Sequence, residues 1–523
     1  MILAIVLGIA VSGVLGIIKE TKEKAYQAQL QMIESAARNY VLGERSSLLW
    51  FDDKTTITLA MMQEKGYLDK KIVDPRTKKE MTCANVIVDR EVLNKLVYTM
   101  DVKCEEPPDP AVDLPSGMIP IVYKGNKWVK ADVNNEKKSW FNYNKQQWAN
   151  AATLSSDVRP SLLKATAGTE VPMNKINAMF VWIPRFKYRL FNVDGSIPPE
   201  GNPNLIGNHL IDVQFEGKDT PKSTGTQNGK YLTHPAFTFD KTEIDGFWVG
   251  KFLAGTTDGS LYGTDSTKLV VKPNELVWTH MYNDPSSYQL MFHMGEAGNK
   301  FGLTNQENAH LIKNMEWGAI TYLTHSKYGK QGNPAYTDTE KPVRINNNKT
   351  QTGCGATTQN GTQTTTCNSY ETNHGQAAST TGNITGIYDM VSLGEEVVAG
   401  IYTTYINCTT FRRTELETKA AAYINFYDPI NYSDFSKGYL GDATIEVGPF
   451  MYQGGWYQDS WYHTANQMVN RDSSFFIRGQ TSIFNFTSVV NYNNQGALRP
   501  IVVAVPTVSY PTLTTDRNSC SGG

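Results

Sequence analysis

Residues 1–18 read MILAIVLGIAVSGVLGII, and the first charged side chain is that of Lys19. As a helix this run would be roughly 27 Å long, which is about the thickness of a bilayer core. After it, an apolar side chain returns every three or four residues, as on one helical face: Tyr26, Leu30, Ile33, Ala37 and Tyr40. The sequence therefore predicts a helix over residues 1–42 that is hydrophobic first and amphipathic afterwards. The basic start and small-residue cleavage site of a secretory signal are not obvious in it.

The segment after this helix predicts a small β-rich head over residues 43–104. It reads as a short helix at 58–65, followed by two strand-like runs. Cys83 and Cys104 bracket those runs, so that a bridge between them would staple a domain whose core alone is marginal. The Pro-rich stretch 105–116 then predicts a stiff, exposed linker.

A hydrophobic segment that continues into an amphipathic helix and a small β-rich head resembles type IV pilins and pseudopilins. Leu3-Ala4-Ile5-Val6-Leu7-Gly8-Ile9-Ala10 is similar to the second half of their N-terminal segment, and residues 26–40 are similar to the stalk that packs on their head. The basic leader of that family, its Gly–Phe junction and the following glutamate are missing, which indicates a truncated start or different processing. The resemblance implies an extracellular protein, anchored in the membrane before assembly and then packed on other pilin subunits through this helix. A plain single-span anchor is the alternative.

The chain beyond the linker is expected to be mostly β-structure. Residues 117–178 look like a meander of short strands that carry Trp128, Trp140 and Trp148, which we expect to fill its core rather than to stack on sugars. Residues 179–523 predict one long β-rich unit with few helices, and the best helix candidate is 310–323.

Five pieces of this last unit, in order, resemble the formylglycine-generating-enzyme-like branch of the C-type lectin fold. They are Trp182-Ile183-Pro184, the runs 244–252, 314–319 and 382–390, and finally Phe476-Ile477-Arg478-Gly479 with Ala497-Leu498-Arg499-Pro500. The fold class expected for the whole chain is therefore α+β, with a long pilin-like helix, a small pilin head and a β-rich C-type-lectin-like domain. That enzyme needs two cysteines near its Arg-Gly segment, whereas no cysteine lies between Trp456 and Pro500. We expect no enzymatic activity.

In lectin-like folds of this branch, the segment before the final Arg-Pro strand forms an exposed face. Here that segment, 456–495, is rich in aromatic and asparagine side chains, which supply large contact areas and adaptable hydrogen bonds. The expected ligand-binding residues are Trp456, Tyr457, Trp461, Tyr462, His463, Asn485, Asn491, Tyr492, Asn493 and Asn494. A similar composition marks the variable proteins that retroelements diversify. The alternative is that these aromatics fill the core, with Phe484 and Phe486 in a half-buried strand.

Six cysteines are present, and none has the spacing of a zinc site. In an exported chain an even number favours disulfides. The predicted pairs are Cys83–Cys104, Cys354–Cys367 and Cys408–Cys520, the first two because short separations favour local closure. Free buried thiols are the alternative.

Charge and motifs exclude several function classes. The 49 basic residues nearly balance the 51 acidic ones, so that nothing favours nucleic acid as a partner. HExxH, P-loop, GxGxxG and GxSxG motifs are missing, and the scattered histidines His293, His310 and His325 are interpreted as structural. No cofactor is expected apart from calcium, which stays open because it needs converging oxygens. Its candidate ligands are Asp240, Glu243, Asp245, Asp459 and Asp472.

These features together predict a surface-exposed, pilin-like adhesin or minor pilin with a non-catalytic lectin-like head. The ligand would be a host-cell surface, a glycan or a protein. One alternative is a structural pilus subunit whose head coats the filament. The other is an extracellular enzyme of the formylglycine-generating type, which the missing cysteine pair disfavours.

Overall fold

The structure is a computed structural model, and the part of the chain that it describes consists of residues 2–45, 48, 54–76, 78, 81, 84–91, 95–101, 106–134, 137–189, 211–224, 231–258, 268–278, 308–330, 343, 351–355, 368–392, 396–402, 422–427, 440–443, 475–479, 483, 486–488 and 496–505. The fold is mixed α+β, with mostly strands and few helices. The chain divides into two compact units, and the boundary between them follows Glu106, inside the predicted linker.

The N-terminal unit consists of a long helix and a three-stranded antiparallel sheet. Its elements are α1 (Ile2–Gly43), β1 (Lys54–Ile57), α2 (Leu59–Glu64), β2 (Asn85–Glu91) and β3 (Lys95–Asp101), with the strand order β1-β2-β3. The short helix α2 confirms the prediction at 58–65, since the Thr58 hydroxyl accepts the Met61 N–H at its start. Within the described residues, no helix is long and apolar enough to cross a membrane.

The second half of α1 packs on the sheet through the predicted apolar stripe. Its residues are buried or half-buried: Tyr26, Leu30, Ile33, Ala37 and Tyr40. They share one core cluster with residues of β1, α2 and β2, among them Ile57, Met62, Val86 and Val88. The amphipathic pattern therefore identified the packing face correctly, because residues three and four apart lie on the same side of a helix.

The C-terminal unit contains the remaining elements. Its strands are β4 (Met118–Tyr123), β5 (Trp128–Lys130), β6 (Asn150–Leu154), β7 (Ile176–Pro184), β8 (Phe186–Arg189), β9 (Asp212–Phe215), β10 (Leu232–Thr233), β11 (Thr238–Phe239), β12 (Thr242–Glu243), β13 (Gly246–Gly250), β14 (Gly255–Thr256), β15 (Leu269–Val270), β16 (Leu276–Val277), β17 (His310–Leu311), β18 (Cys354–Gly355), β19 (Asn368–Ser369), β20 (Glu396–Tyr402), β21 (Asn425–Tyr427), β22 (Phe475–Arg478), β23 (Phe486–Ser488) and β24 (Pro500–Val502). Its α-helices are α3 (Lys137–Trp140), α4 (Arg159–Lys164), α5 (Asn314–Thr324) and α6 (Asn373–Gln376).

Two sheets organise this unit. The larger is antiparallel and has the order β17-β24-β13-β7-β6-β4-β5, and the smaller has the order β21-β20-β22-β23. Because β6 pairs with β7 along its length, residues 117–178 belong to the same compact unit as the chain that follows. The domain boundary predicted at residue 179 does not coincide with a boundary between compact units.

The tryptophans of residues 117–178 are core residues, as the sequence predicted. Trp128, Trp140 and Trp148 are at most 4% exposed. The indole of Trp140 donates to the Asn150 carbonyl, and that of Trp148 donates to the Tyr328 carbonyl. Burial of an indole with its N–H paired is the usual arrangement in a protein core.

The helix predicted at 310–323 begins later than the sequence indicated. His310 and Leu311 form β17, which pairs with β24, and α5 begins at Asn314. The Glu316 carboxylate accepts the Lys313 backbone N–H at 2.7 Å, which caps the helix at that point. Because α5 is buried on nearly all sides, its boundaries depend on tertiary pairing rather than on one apolar face.

Candidate ligand-binding face

The ten residues predicted to bind ligand, from Trp456 to Asn494, all lie outside the described residues. The structure does describe the strands on which that segment is built, β22 and β23, which pair antiparallel. Phe486 lies in β23. The alternative in which Phe484 and Phe486 fill the core requires a strand at this position. The ligand-binding role of the ten residues stays a prediction.

Arg478, at the end of β22, is a fully buried cation that holds several segments together. Its guanidinium donates to the Asn314 side-chain oxygen at 2.6 Å and to the Asp442 carbonyl at 3.1 Å, and it lies 5.3 Å from the centre of the Trp317 ring. The Ile483 carbonyl accepts both from this guanidinium and from the Trp317 indole, at 3.4 and 2.8 Å. Burial lowers the pKa of Arg478 to about 10, so that the group stays charged at neutral pH.

The first turn of α5 is the centre of this arrangement. The Asn314 amide donates to the Tyr427 hydroxyl at 2.7 Å, while its oxygen accepts from Arg478. The Met315 N–H donates to the Asn425 side chain at 2.9 Å. One helical turn thus contacts both β21 and β22, through two buried hydrogen bonds, one of them charge-assisted, and one partly buried hydrogen bond.

Gly479 sets the course of the chain immediately after Arg478. Its φ is +75°, and a Cβ atom there would lie 2.2 Å from the Met390 carbonyl oxygen. The Gly479 carbonyl accepts the Ser392 N–H at 2.8 Å. Only glycine combines a left-handed backbone with this close approach, which explains the Arg-Gly pair in physical terms.

A second buried arginine joins the two sheets. Arg499, the residue before β24, donates to both carboxylate oxygens of Glu396 on β20, with separations of 3.1 to 3.2 Å. It also donates to the Gly250 carbonyl at 2.7 Å and to the Tyr388 carbonyl at 3.0 Å. Hydrogen bonds of Arg499 therefore connect the start of β24 with β20 and β13.

A buried lysine plays a similar part. The Lys251 ammonium donates to the carbonyls of Ile384 and Gly386, at 2.6 and 2.8 Å, and lies 5.4 and 5.3 Å from the rings of Trp128 and Tyr388. Complete burial lowers its pKa well below the usual value. This lysine fixes the turn 382–390, although the sequence indicated no partner for it.

His310 and His325 are buried and contact acceptor groups of the protein itself. The His310 ring lies 2.6 Å from the Asn308 carbonyl and 3.1 Å from the Glu316 carboxylate. Burial opposes ionisation of Glu316, but Lys313 and His310 outweigh it and lower the pKa of this carboxyl. His325 contacts the Thr321 carbonyl, and burial lowers its pKa to about 4. His293 lies outside the described residues.

Two of the proposed calcium ligands are already paired with cations. Glu243 accepts from the Arg185 guanidinium at 2.7 Å, and Asp245 lies 3.4 Å from the Lys218 ammonium and also accepts the Lys218 backbone N–H at 2.7 Å. In the part of the chain that the structure describes, no group of three or more His, Cys, Asp or Glu side chains could hold a metal ion. Asp240 is in a left-handed turn conformation. Asp459 and Asp472 lie outside the described residues, and calcium binding stays a prediction.

Cys354 is disulfide-bonded. Its predicted partner, Cys367, lies outside the described residues, but the next residue, Asn368, pairs with Gly355 across β18 and β19. Cys83, Cys104, Cys408 and Cys520 also lie outside the described residues, so that all three pairings stay predictions.

Comparison with protein-family models and with curated proteins finds no match for this chain. Its function is therefore argued from its own residues.

Proposed function

We propose that the chain is a surface-exposed, pilin-like adhesin or minor pilin whose C-terminal unit is a non-catalytic, lectin-like head that binds a ligand. The observation that carries this proposal is the arrangement of α1 in the N-terminal unit. Its second half packs on a small antiparallel sheet, and the same helix continues toward the apolar first residues. A stalk helix of this kind is what a fibre-forming or membrane-bound subunit needs.

A second stripe of α1 supports assembly through this helix. Eight residues at alternating spacings of three and four are all exposed and uncharged: Ile18, Thr21, Ala25, Ala28, Met32, Ser35, Asn39 and Leu42. The same spacing continues backward in the sequence through Ala4, Leu7, Val11 and Val14. We call the eight exposed residues the uncharged stripe.

The charged residues of α1 flank the uncharged stripe and do not interrupt it. Lys24 pairs with Glu20 at 2.8 Å, and Arg38 pairs with Glu34 at 2.6 Å, each along the helix. Alternating spacings of three and four residues are typical of surfaces that pack against another helix. From Ile18 to Leu42 the stripe is roughly 36 Å long. The stripe therefore suits the stalk helix of another subunit.

The head fits presentation of a ligand better than catalysis. Arg478 and Arg499 donate to carbonyl, amide and carboxylate acceptors of the protein itself, which makes them parts of a frame. In the sequence, the expected binding residues precede β22 or lie between β22 and β24, and segments that connect the strands of a rigid scaffold are where variable contacts are usually found.

Assembly is tested by placing a charge in the uncharged stripe. Met32→Glu should prevent sedimentation of filaments or membrane complexes, because it places a charge in the interface between subunits. The N-terminal unit should stay folded, because the Met32 side chain is 48% exposed and has no part in its core. Gln27→Glu is the matched control, since Gln27 is exposed on another side of the same helix. If Met32→Glu assembles like the control, the stripe is not the subunit interface.

Ligand binding is tested by changing Trp461, Tyr492 and Asn493 together to alanine. Binding to cultured host cells and to a glycan array should be lost, while Tm stays nearly unchanged. Trp317→Ala is the comparison, because loss of this buried indole should lower Tm strongly. A large fall in Tm for the triple variant would assign its residues to the core and refute the binding face.

A further inference from the structure

His310 lies where the larger sheet meets helix α5. It is fully buried in β17, which pairs with β24, and α5 begins at Asn314. Glu316 of that helix is 1% exposed. Its carboxylate accepts the Lys313 backbone N–H and also contacts the His310 ring. One side chain therefore connects the start of α5 with β17.

Both nitrogens of the His310 ring face hydrogen-bond acceptors. Nδ1 lies 2.6 Å from the Asn308 carbonyl oxygen, and Nε2 lies 3.1 and 3.3 Å from the two carboxylate oxygens of Glu316. A carbonyl and an ionised carboxylate can only accept, whereas a neutral imidazole has one N–H and one acceptor nitrogen. Turning the ring over would place carbon atoms at both contacts. The two contacts are therefore satisfied together only when the ring carries a proton on each nitrogen.

The alternative, in which the shared proton belongs to Glu316, conflicts with the other contacts of this carboxylate. One oxygen accepts the Lys313 backbone N–H at 2.7 Å, and the other lies 3.4 Å from the Lys313 ammonium. Burial opposes ionisation of Glu316, but the charges and hydrogen bonds of Lys313 and His310 lower its pKa. The carboxylate thus stays ionised and requires a donor at Nε2.

The groups around the ring accommodate a second buried cation beside Lys313. The ring centres of Phe239 and Tyr423 lie 5.3 and 5.6 Å from that of His310, and the Lys313 ammonium lies 4.9 Å from the centre of the Phe239 ring. Aromatic rings attract cations at such distances. Glu316, Lys313 and Tyr423 are thus the titratable side chains around the ring in the described part of the chain. The two cations share one carboxylate and one aromatic ring.

We propose that His310 is a buried imidazolium whose second proton fastens the start of α5 to β17, and that this junction loosens when the proton is lost in alkaline solution. This inference goes beyond the proposed function and does not depend on it. Without the proton, Nε2 is an acceptor that faces the acceptor oxygens of Glu316, and the hydrogen bond is lost. Because the first turn of α5 contacts β21 and β22, the strands beside the predicted binding segment are affected as well.

The direction of the pH effect follows from linkage. An unfolded chain releases a histidine proton near the ordinary value of about 6.5. A folded chain that still holds the proton at about pH 7.5 binds more protons than the unfolded chain. Its stability is therefore greatest below about pH 6.5 and falls as pH rises, and each pH unit raises the unfolding equilibrium constant about tenfold.

The first test is ¹⁵N NMR of the full chain in detergent, with labelled histidine, at about pH 7.5. One of the eight histidine rings should carry protons on both nitrogens at this pH, at which an ordinary histidine is largely neutral. This signal should disappear in His310→Gln and persist in His374→Gln, which changes an exposed histidine. If the wild type contains no doubly protonated ring at this pH, the proposal is overturned, whether or not the variants fold.

Glu316→Gln separates the need for a proton from packing. The amide oxygen can still accept the Lys313 N–H, and the amide N–H can donate to an unprotonated Nε2, while the Lys313 ammonium keeps the Ala422 carbonyl at 3.2 Å. The His310 ring should therefore carry a single proton in this variant at about pH 7.5. A doubly protonated ring that persists in Glu316→Gln would overturn the proposal.

Denaturant unfolding measures how strongly the proton fastens the junction. Tryptophan fluorescence reports on the C-terminal unit, because nine of the ten tryptophans follow residue 127. From about pH 6.5 to about pH 7.5, the unfolding equilibrium constant should rise on the order of tenfold more in the wild type than in Glu316→Gln. Other groups that titrate in this range act on both proteins. Equal pH dependences in the two proteins contradict the proposal.

Discussion

Ile33→Ala is the sharpest test of how α1 is attached to the small head. The Ile33 side chain is fully buried in the cluster that α1 forms with β1, α2 and β2. Truncating a fully buried isoleucine to alanine costs about 2–5 kcal/mol, through the lost transfer energy and the cavity left behind. In a unit whose total stability is about 5–15 kcal/mol, the lower value already reduces the ratio of folded to unfolded molecules by about 30-fold.

Hydrogen exchange of the β2–β3 hairpin in the full chain measures this effect without separating the units. Exchange protection in residues 85–101 should fall by at least the same factor in Ile33→Ala. Met32→Ala is the matched control, because Met32 immediately precedes Ile33 in α1 and its side chain is 48% exposed. Equal losses in the two variants, or unchanged protection in Ile33→Ala, would refute the assignment of the packing face.

Two further changes test the C-terminal unit. Gly479→Ala should lower the free energy of unfolding, measured with denaturant, by about 2 kcal/mol or more. The reason is that it adds backbone strain and a clash with the Met390 carbonyl. An unchanged free energy would contradict the conformation described for Gly479. Burial and the nearby charge of Asp245 raise the pKa of Asp113 to about 6, so this group favours folding below about pH 4 and loses that effect as pH rises. Asp113→Asn should therefore raise the free energy of unfolding by about 1–2 kcal/mol above pH 6 and change it little near pH 4. Equal effects at both pH values would show that the raised pKa of Asp113 is not the cause.

The two arginine motifs of the candidate site were predictable from the local sequence, but their hydrogen-bond partners were not. Arg478-Gly479 and Arg499-Pro500 were recognisable as motifs, and both arginines prove to be buried. Their acceptors were not recognisable, since Asn314 and Glu396 are 164 and 103 residues away in the chain. Hydrogen-bond partners at such separations carry no periodic signal, and only the meeting of strands from distant segments brings them together.

The sequence by itself determined the amphipathic face of α1, the presence of the short helix α2 and the burial of the tryptophans in residues 117–178. These features follow from side-chain spacing and local hydrogen bonds, which act within a few residues. Tertiary structure alone decided that residues 310 and 311 form a strand, that residues 117–178 join the larger sheet, and that Glu396 pairs with Arg499. The physical reason is that strand pairing and buried ion pairs join groups far apart in sequence. These groups interact only after the chain has folded and brought them together.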